Sequence, residues 1–268
     1  QFTGGDDTFY NSGRFSAENP SEMYLFNEEF GDKYLLKSLN EFQEKVTDYF
    51  FEKDKKTQLS TLLQFINEVL RISEIRRNNI TYSIHPDIPT NKTLFKQKYL
   101  KQHDSIVNKF WRKNKEILNI KTDNFDMKLK DLIRFSIKVD SLTSAETIAK
   151  VLSDKELLIK HSKDCKEYFE NELEKIEIDN EMKMSSGYFA YHCYFYFKQS
   201  FIVEIQIFSE LSNFWRKMSH KIYDKVRLQD SQIYKFNDVN SRMISIGHLL
   251  YLAECELASI EKEMEDKC

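Results

Sequence analysis

Residue types able to do chemistry are thinly spread along this chain of 268 residues. Its histidines, His85, His103, His161, His192, His220 and His248, never pair at helical spacing with a carboxylate or cysteine that would complete a metal site. His192 and Cys193 are adjacent, and on a helix neighbours point about 100° apart, too far to grip one ion. Cys165, Cys193, Cys255 and Cys268 form no CxxC pair and are too few for a disulfide scaffold, which reads as reduced thiols in a cytosolic protein. There is no GxxxxGK[ST], GxGxxG, HExxH or GxSxG. An enzyme on a helical scaffold would need paired acidic motifs of the DDxxD kind, and only "GGDD" at 4–7 approaches them. The expectation is therefore a protein that is not an enzyme, with no catalytic residue, no metal and no cofactor.

Charge segregation is the stronger signal. Lys92 to Lys130 holds 11 basic residues against 4 acids, with Phe95, Tyr99, Phe110 and Trp111 interleaved. A second basic run comprises Arg216, Lys217, Lys221, Lys225 and Arg227, and an acidic run from Asp164 to Glu181 has 8 acids against 2 bases. A basic pole attracts phosphate, in lipid headgroups or nucleic acid, by about 1 kcal/mol per cation near an anionic bilayer. The same lysines would equally serve as solvated helix surface. Nucleic acid is disfavoured, because the net charge is −3 and no reading helix or zinc finger accompanies the basic runs.

These residues must be carried on long elements. Only 6 glycines and 3 prolines occur, and none of the glycines lies between Gly31 and Gly187. Turns draw on glycine and proline for special backbone angles, so few breakers imply few reversals. Strands of five or six residues would need many more, which points to an all-α protein of long antiparallel helices. Leu35, Leu39, Phe42, Val46 and Tyr49 step by four and three, predicting a first helix over about 20–79. A loop follows at 81–93, then helical pattern from 94 to about 183. Phe201, Ile205, Phe208, Ser212 and Trp215 continue the rhythm. The closing set Met243, Ile246, Leu250, Ala253, Leu257, Ile260 and Met264 steps 3, 4, 3, 4, 3, 4, the clearest heptad in the chain.

"GYFAYHCYFYFK" at 187–198 places seven aromatic rings in twelve positions. It is too short to span a bilayer, and a strand there would be isolated among helices. The expectation is the start of a buried central helix in a bundle or dimer.

The long helices, the heptads and the stretch "LKDLIRFSIKVDSLTSAETIAKVLSDKELL" at 129–158 together resemble a BAR-type domain, in style the BAR part of sorting nexins. The resemblance implies a lead-in over 1–19, a single all-α domain over 20–268, and a membrane-trafficking scaffold that dimerises and binds curved anionic membrane. It implies lipid-facing roles for Lys109, Arg112, Lys113, Lys115, Arg216, Lys217, Lys221 and Lys225. Tyr191, Phe195, Met243, Ile246, Leu250, Leu257 and Ile260 would form a homo- or heterodimer interface. Other trafficking proteins would be partners, and the place of work would be the cytoplasm, peripheral to endosomal or other internal membranes. The rival expectation is a helical interaction adaptor or tether subunit without lipid affinity. One departure stands against the family pattern: the acidic run at 164–181 falls where a basic tip is expected.

Overall fold

A computed structural model describes residues 32–51, 58–77, 80–86, 89–102, 105–106, 129–161, 166–180, 187–198, 201–226 and 238–267. Its elements in chain order are α1 (Asp32–Phe51), α2 (Gln58–Arg77), β1 (Tyr82–His85), α3 (Lys92–Lys98), β2 (Ile133–Val139), α4 (Leu142–Ser153), α5 (Lys155–His161), α6 (Lys166–Glu172), β3 (Leu173–Asp179), β4 (Tyr191–Phe197), β5 (Phe201–Ser209), α7 (Glu210–Val226) and α8 (Val239–Glu265). The five strands form one sheet in the order β1-β2-β5-β4-β3, and β1 pairs antiparallel with β2, Tyr82 facing Val139 and His85 facing Ser136.

The all-α expectation is therefore corrected, together with the bundle architecture and the long helix at 94–183, which β2 and β3 interrupt. The helix expected at 20–79 is helical where it is described, as α1 and α2. The stretch likened to a BAR helix, 129–158, is a turn, strand β2 and helices α4 and α5. The aromatic stretch is strand β4, lying between β5 and β3 rather than isolated. The physical reason is burial. β5, "FIVEIQIFS", has every residue buried except half-buried Gln206. In a run apolar on both faces, steps of three and four can be picked out even though the backbone has period two.

Chain contacts divide the protein into two compact units, one of residues 1–62, 88–134 and 196–204, the other of 63–87, 135–195 and 205–268. In the first unit, α1 packs on α3. Tyr49 of α1 meets Phe201 at 5.1 Å and Phe197 at 6.4 Å, and Phe50 meets Phe95 of α3 at 5.8 Å. Phe95 in turn stacks on Tyr99 at 5.6 Å. Such rings bury large apolar areas, and edge-to-face or offset pairs add about 0.5–1.5 kcal/mol each. Lys92 binds Asp48 of α1 at 2.6 Å and Lys96 binds Glu44, so part of the basic run is spent fastening α3 to α1. Asn91 caps α3, its side-chain oxygen accepting from the Leu94 amide at 2.9 Å.

In the second unit, α8 packs on α7 and α4. Two glycines permit the closest approach. Gly187 has φ +63°, and a Cβ on Gly247 would lie 2.8 Å from the Gly187 carbonyl oxygen and 2.7 Å from the Trp215 indole nitrogen. Ser141 caps α4 by accepting from the Ser144 amide, and Asp238 caps α8 by accepting from the Ser241 amide at 2.6 Å.

Candidate functional site

Polar residues of the first unit lie where β2 begins and on the side of β4 and β5 opposite α1. After α3, Tyr99 to Lys101 runs against the start of β2: the Lys101 amide donates to the Leu132 carbonyl and the Arg134 amide to the Tyr99 carbonyl, both at 2.9 Å. That pairing brings the Lys101 ammonium 2.5 Å from the Asp131 carboxylate, with side-chain exposures of only 8% and 15%. Two charges this far from water attract each other strongly, and losing either partner strands the other.

Strand alternation places the next residues. Phe197 and Phe201 turn toward α1, so their out-of-step neighbours Tyr196, Ile202 and Glu204 turn to the other side. Tyr196 has the ammonium of Lys130 over its ring at 5.5 Å from the centroid. Glu204 is the one carboxylate in β5 and is 3% exposed. On β2, Arg134 is exposed between buried Ile133 and Phe135. The set comprises two carboxylates, Asp131 and Glu204, three cations, Lys101, Lys130 and Arg134, and one aromatic face. Cations of this kind neutralise phosphate, rings stack on bases, and carboxylates hold a divalent cation or take a proton.

The second unit offers a different feature, a cleft of about 350 Å³ with Leu211, Phe214, Leu257 and Ala258 in its wall and Asp140, Glu210, Glu254 and Glu261 around it. Each of these carboxylates is engaged. Asp140 accepts from the Ser141 amide at 2.8 Å, Glu210 pairs with Lys138 at 2.8 Å, Glu254 accepts from the Ser212 hydroxyl at 2.8 Å, and Glu261 accepts from the Thr143 hydroxyl at 2.7 Å. On β4, burial pushes the Cys193 thiol up to about 12. Burial also raises the Tyr191 hydroxyl, helped by the negative charge of Glu146.

Of the residues assigned to lipid, Lys109, Arg112, Lys113 and Lys115 lie outside the described residues. Arg216 stands over the Phe208 ring at 4.7 Å, Lys217 is exposed on α7, and Lys221 and Lys225 follow on the same helix. Of those assigned to a dimer, Tyr191 and Phe195 are buried within the chain's own packing on β4. Met243, Ile246, Leu250, Leu257 and Ile260 are on α8, and Ile246, Leu257 and Ile260 are exposed. The "GGDD" segment and the lead-in 1–19 lie outside the described residues. None of Lys101, Lys130, Asp131, Arg134, Tyr196 or Glu204 was singled out as a site residue from sequence. The signal that could have found one of them was a lone carboxylate in the apolar run "FIVEIQIFS".

Residues 98–230 match the family model described as a region found in RelA / SpoT proteins, a span containing all six of those residues. No curated protein matches the chain. Among solved structures, it is similar to small alarmone synthetase 1 of Bacillus subtilis, at 15% identity over 76% of this chain and 96% of that one, TM-score 0.42. The same enzyme bound to its product pppGpp gives 16% identity over 76% and 90%, TM-score 0.44. A GTP pyrophosphokinase family protein from Streptococcus pneumoniae gives 14% identity over 78% and 93%, TM-score 0.44. The family match overturns four expectations: the BAR-type resemblance, the membrane-trafficking scaffold, its rival the adaptor or tether, and the absence of enzymatic activity. The keywords of coiled-coil trafficking fall with them.

Proposed function

We propose that this chain is a nucleotide pyrophosphokinase of the RelA/SpoT kind, moving a pyrophosphoryl group from a nucleoside triphosphate to a ribose hydroxyl of a guanosine nucleotide. The observation that carries the reading is that the matched region contains a buried glutamate, a half-buried aspartate, three cations and an aromatic ring within one compact unit. The acceptor hydroxyl oxygen forms a bond to the donor's β-phosphorus, the bond between that phosphorus and the α,β-bridging oxygen breaks, a nucleoside monophosphate leaves, and the hydroxyl proton passes to a base. Such transfers depend on positioning and on neutralising charge that spreads over the phosphoryl oxygens.

Arg134 and Lys130 are exposed cations that would meet a phosphate, while Lys101 holds Asp131 in place. Tyr196, already an acceptor for a cation on its ring, offers a face for a base. Mg²⁺ prefers one or two carboxylates plus substrate phosphates over a full protein cage. Asp131 and Glu204 fit that donor set, and among the described residues there is no cluster of three ligating side chains that would form a cage instead. When bound, the ion would neutralise the transferring phosphates. Nucleotides of this kind are cytoplasmic, so the cytoplasmic part of the sequence expectation is kept and the endosomal part is dropped.

The test is to incubate the purified chain with ATP labelled on its terminal phosphates and with GTP or GDP, and to resolve the products by thin-layer chromatography. The expected result is label transferred intact, as a pyrophosphoryl group, to the guanosine nucleotide with AMP as co-product. Release of label only as free phosphate or pyrophosphate, or no turnover with any purine nucleotide acceptor, would overturn the reading.

A further inference from the structure

The entry of β4 is held from two sides. Gly187 immediately precedes Tyr188, and its φ of +63° is in the left-handed region that favours glycine. A Cβ there would lie 2.8 Å from both the Gly247 Cα and the Ile244 carbonyl oxygen of α8. Gly247 returns the contact, since its own Cβ would lie 2.8 Å from the Gly187 carbonyl oxygen and 2.7 Å from the Trp215 indole nitrogen. Backbone and a packed ring cannot swing away from a methyl group as the end of a flexible side chain can. The rings that follow extend the hold: Phe189 meets Tyr251 of α8 at 4.6 Å, and Tyr188 meets Phe208 of β5 at 6.0 Å.

We infer that α8 is a clamp on the entry of β4: the docked helix holds Gly187 in its left-handed turn and Tyr188 against Phe208, and undocking releases both together. Glycine is a poor helix former, yet Gly247 is buried inside a helix of 27 residues. The helix gains nothing from it, whereas the close approach of Gly187 requires it. Trp215 closes the junction on the α7 side. Its indole N–H is buried and has no hydrogen-bond acceptor among the described residues, and an unmet buried donor weakens the packing it belongs to. The junction is therefore tight but held by contact rather than by hydrogen bonds at the indole, which suits an element that can undock. Gly187, Tyr188 and Trp215 fall within the region matched to the RelA / SpoT model, while Gly247 and Tyr251 fall beyond it. An element outside the matched region thus sets the start of a strand inside it.

The inference does not rest on the proposed reaction. It is tested by amide hydrogen exchange, read by mass spectrometry on the full chain, comparing wild type with Gly247→Ala and with Ser245→Ala, a change at an exposed position of the same helix. Gly247→Ala should speed exchange at 187–192 about tenfold and lower the urea midpoint while exchange in β2 stays unchanged. Ser245→Ala should leave exchange at 187–192 as in the wild type. A Gly247→Ala chain more stable than the wild type, the outcome for a better helix former where nothing meets the methyl group, would overturn the inference. So would faster exchange confined to α8, acceleration spread equally to β2, or the same acceleration in Ser245→Ala. Should Gly247→Ala not fold, Tyr251→Leu removes the ring that meets Phe189 and should speed exchange at 187–192 about threefold. Unchanged exchange there would likewise overturn the clamp.

Discussion

Carboxylates occur in two settings in this protein, and the contrast separates a site from a scaffold. In the second unit four of them surround a cleft, and each is engaged: Glu254 and Glu261 bind α8 to α7 and α4, Glu210 binds β2, and Asp140 accepts from the neighbouring Ser141 amide. In the first unit Asp131 and Glu204 stand out, and they come with cations and a ring at the start of β2 and on the side of β4 and β5 opposite α1. The number of acids is therefore a poor guide. What each carboxylate is committed to, and which charges surround it, carries the functional information.

The comparison breaks if the first-unit carboxylates prove dispensable. Glu204→Gln keeps the shape of the side chain and removes its charge, so folding should survive. Pyrophosphoryl transfer should fall by about 10²–10³-fold, the scale of losing one group that stabilises transition-state charge. A pre-steady-state comparison of labelled product sharpens this. Equal rates for the variant and the wild type would leave Glu204 as a buried polar residue of β5 and nothing more.

A second test concerns stability. Lys101→Met removes the partner of Asp131 from a pair with 8% and 15% exposure. Breaking a buried pair from one side costs about 3–5 kcal/mol, and partial access to water at Asp131 puts the expected loss near the lower figure. Urea denaturation at pH 7 measures it. The double change Lys101→Met with Asp131→Leu should recover much of the loss, and a Lys101→Met loss below about 1 kcal/mol would mean that the pair behaves like a surface contact.

Cys193 shows what burial does without a charged partner. Its thiol is pushed from an ordinary 9.0 to about 12 by burial, and its Sγ lies 4.0 Å from the Ala149 carbonyl oxygen. Because the folded value lies above the unfolded one, its contribution to stability is complete below pH 9 and is lost as pH rises from 9 toward 12. The decline amounts to about 1.4 kcal/mol per pH unit for one proton. Chemical denaturation at pH 8, 9 and 10 should show stability falling with pH, and Cys193→Ala should flatten that slope. An unchanged slope would assign the fall to other groups, Tyr191 first among them.

These contrasts also explain what could be read from the chain before its fold. Helix α8 was legible because polar and apolar residues alternate along it with enough contrast to define a period. Strand β5 was not, because "FIVEIQIFS" offers almost no polar residue to mark its faces. Strand β2 could have been read: "IRFSIKV" alternates strictly, and its burial follows suit. Scarcity of glycine and proline argued against a sheet, yet β1 is separated from β2, and β2 from β3, by helices, α3 and α4 among them capped by Asn91 and Ser141, and such connections need few tight turns. Lys101 and Asp131 are 30 residues apart and meet only through the pairing of Leu100 with Ile133, which no local pattern announces. The basic run from Lys92 to Lys130 was assigned to lipid, and among its described residues Lys92 and Lys96 fasten α3 to α1 while Lys101 pairs with Asp131.

The smallest expected effect lies on the other side of the comparison. Glu210→Gln removes a charge from the cleft of the second unit, where Glu210 is 60% exposed and Lys138, its partner at 2.8 Å, is 30% exposed. Water screens such a pair, so the change should cost less than about 1 kcal/mol. Glu210 opens α7, and its negative charge near a helix N-terminus adds only a few tenths of a kcal/mol more, about 0.3–1 at low salt. Pyrophosphoryl transfer should be unaltered within about twofold, because the carboxylate fastens a helix rather than facing a substrate. A loss comparable with that of Glu204→Gln would instead show that the distinction between the two settings is false, and that the acidic cleft takes part in the chemistry.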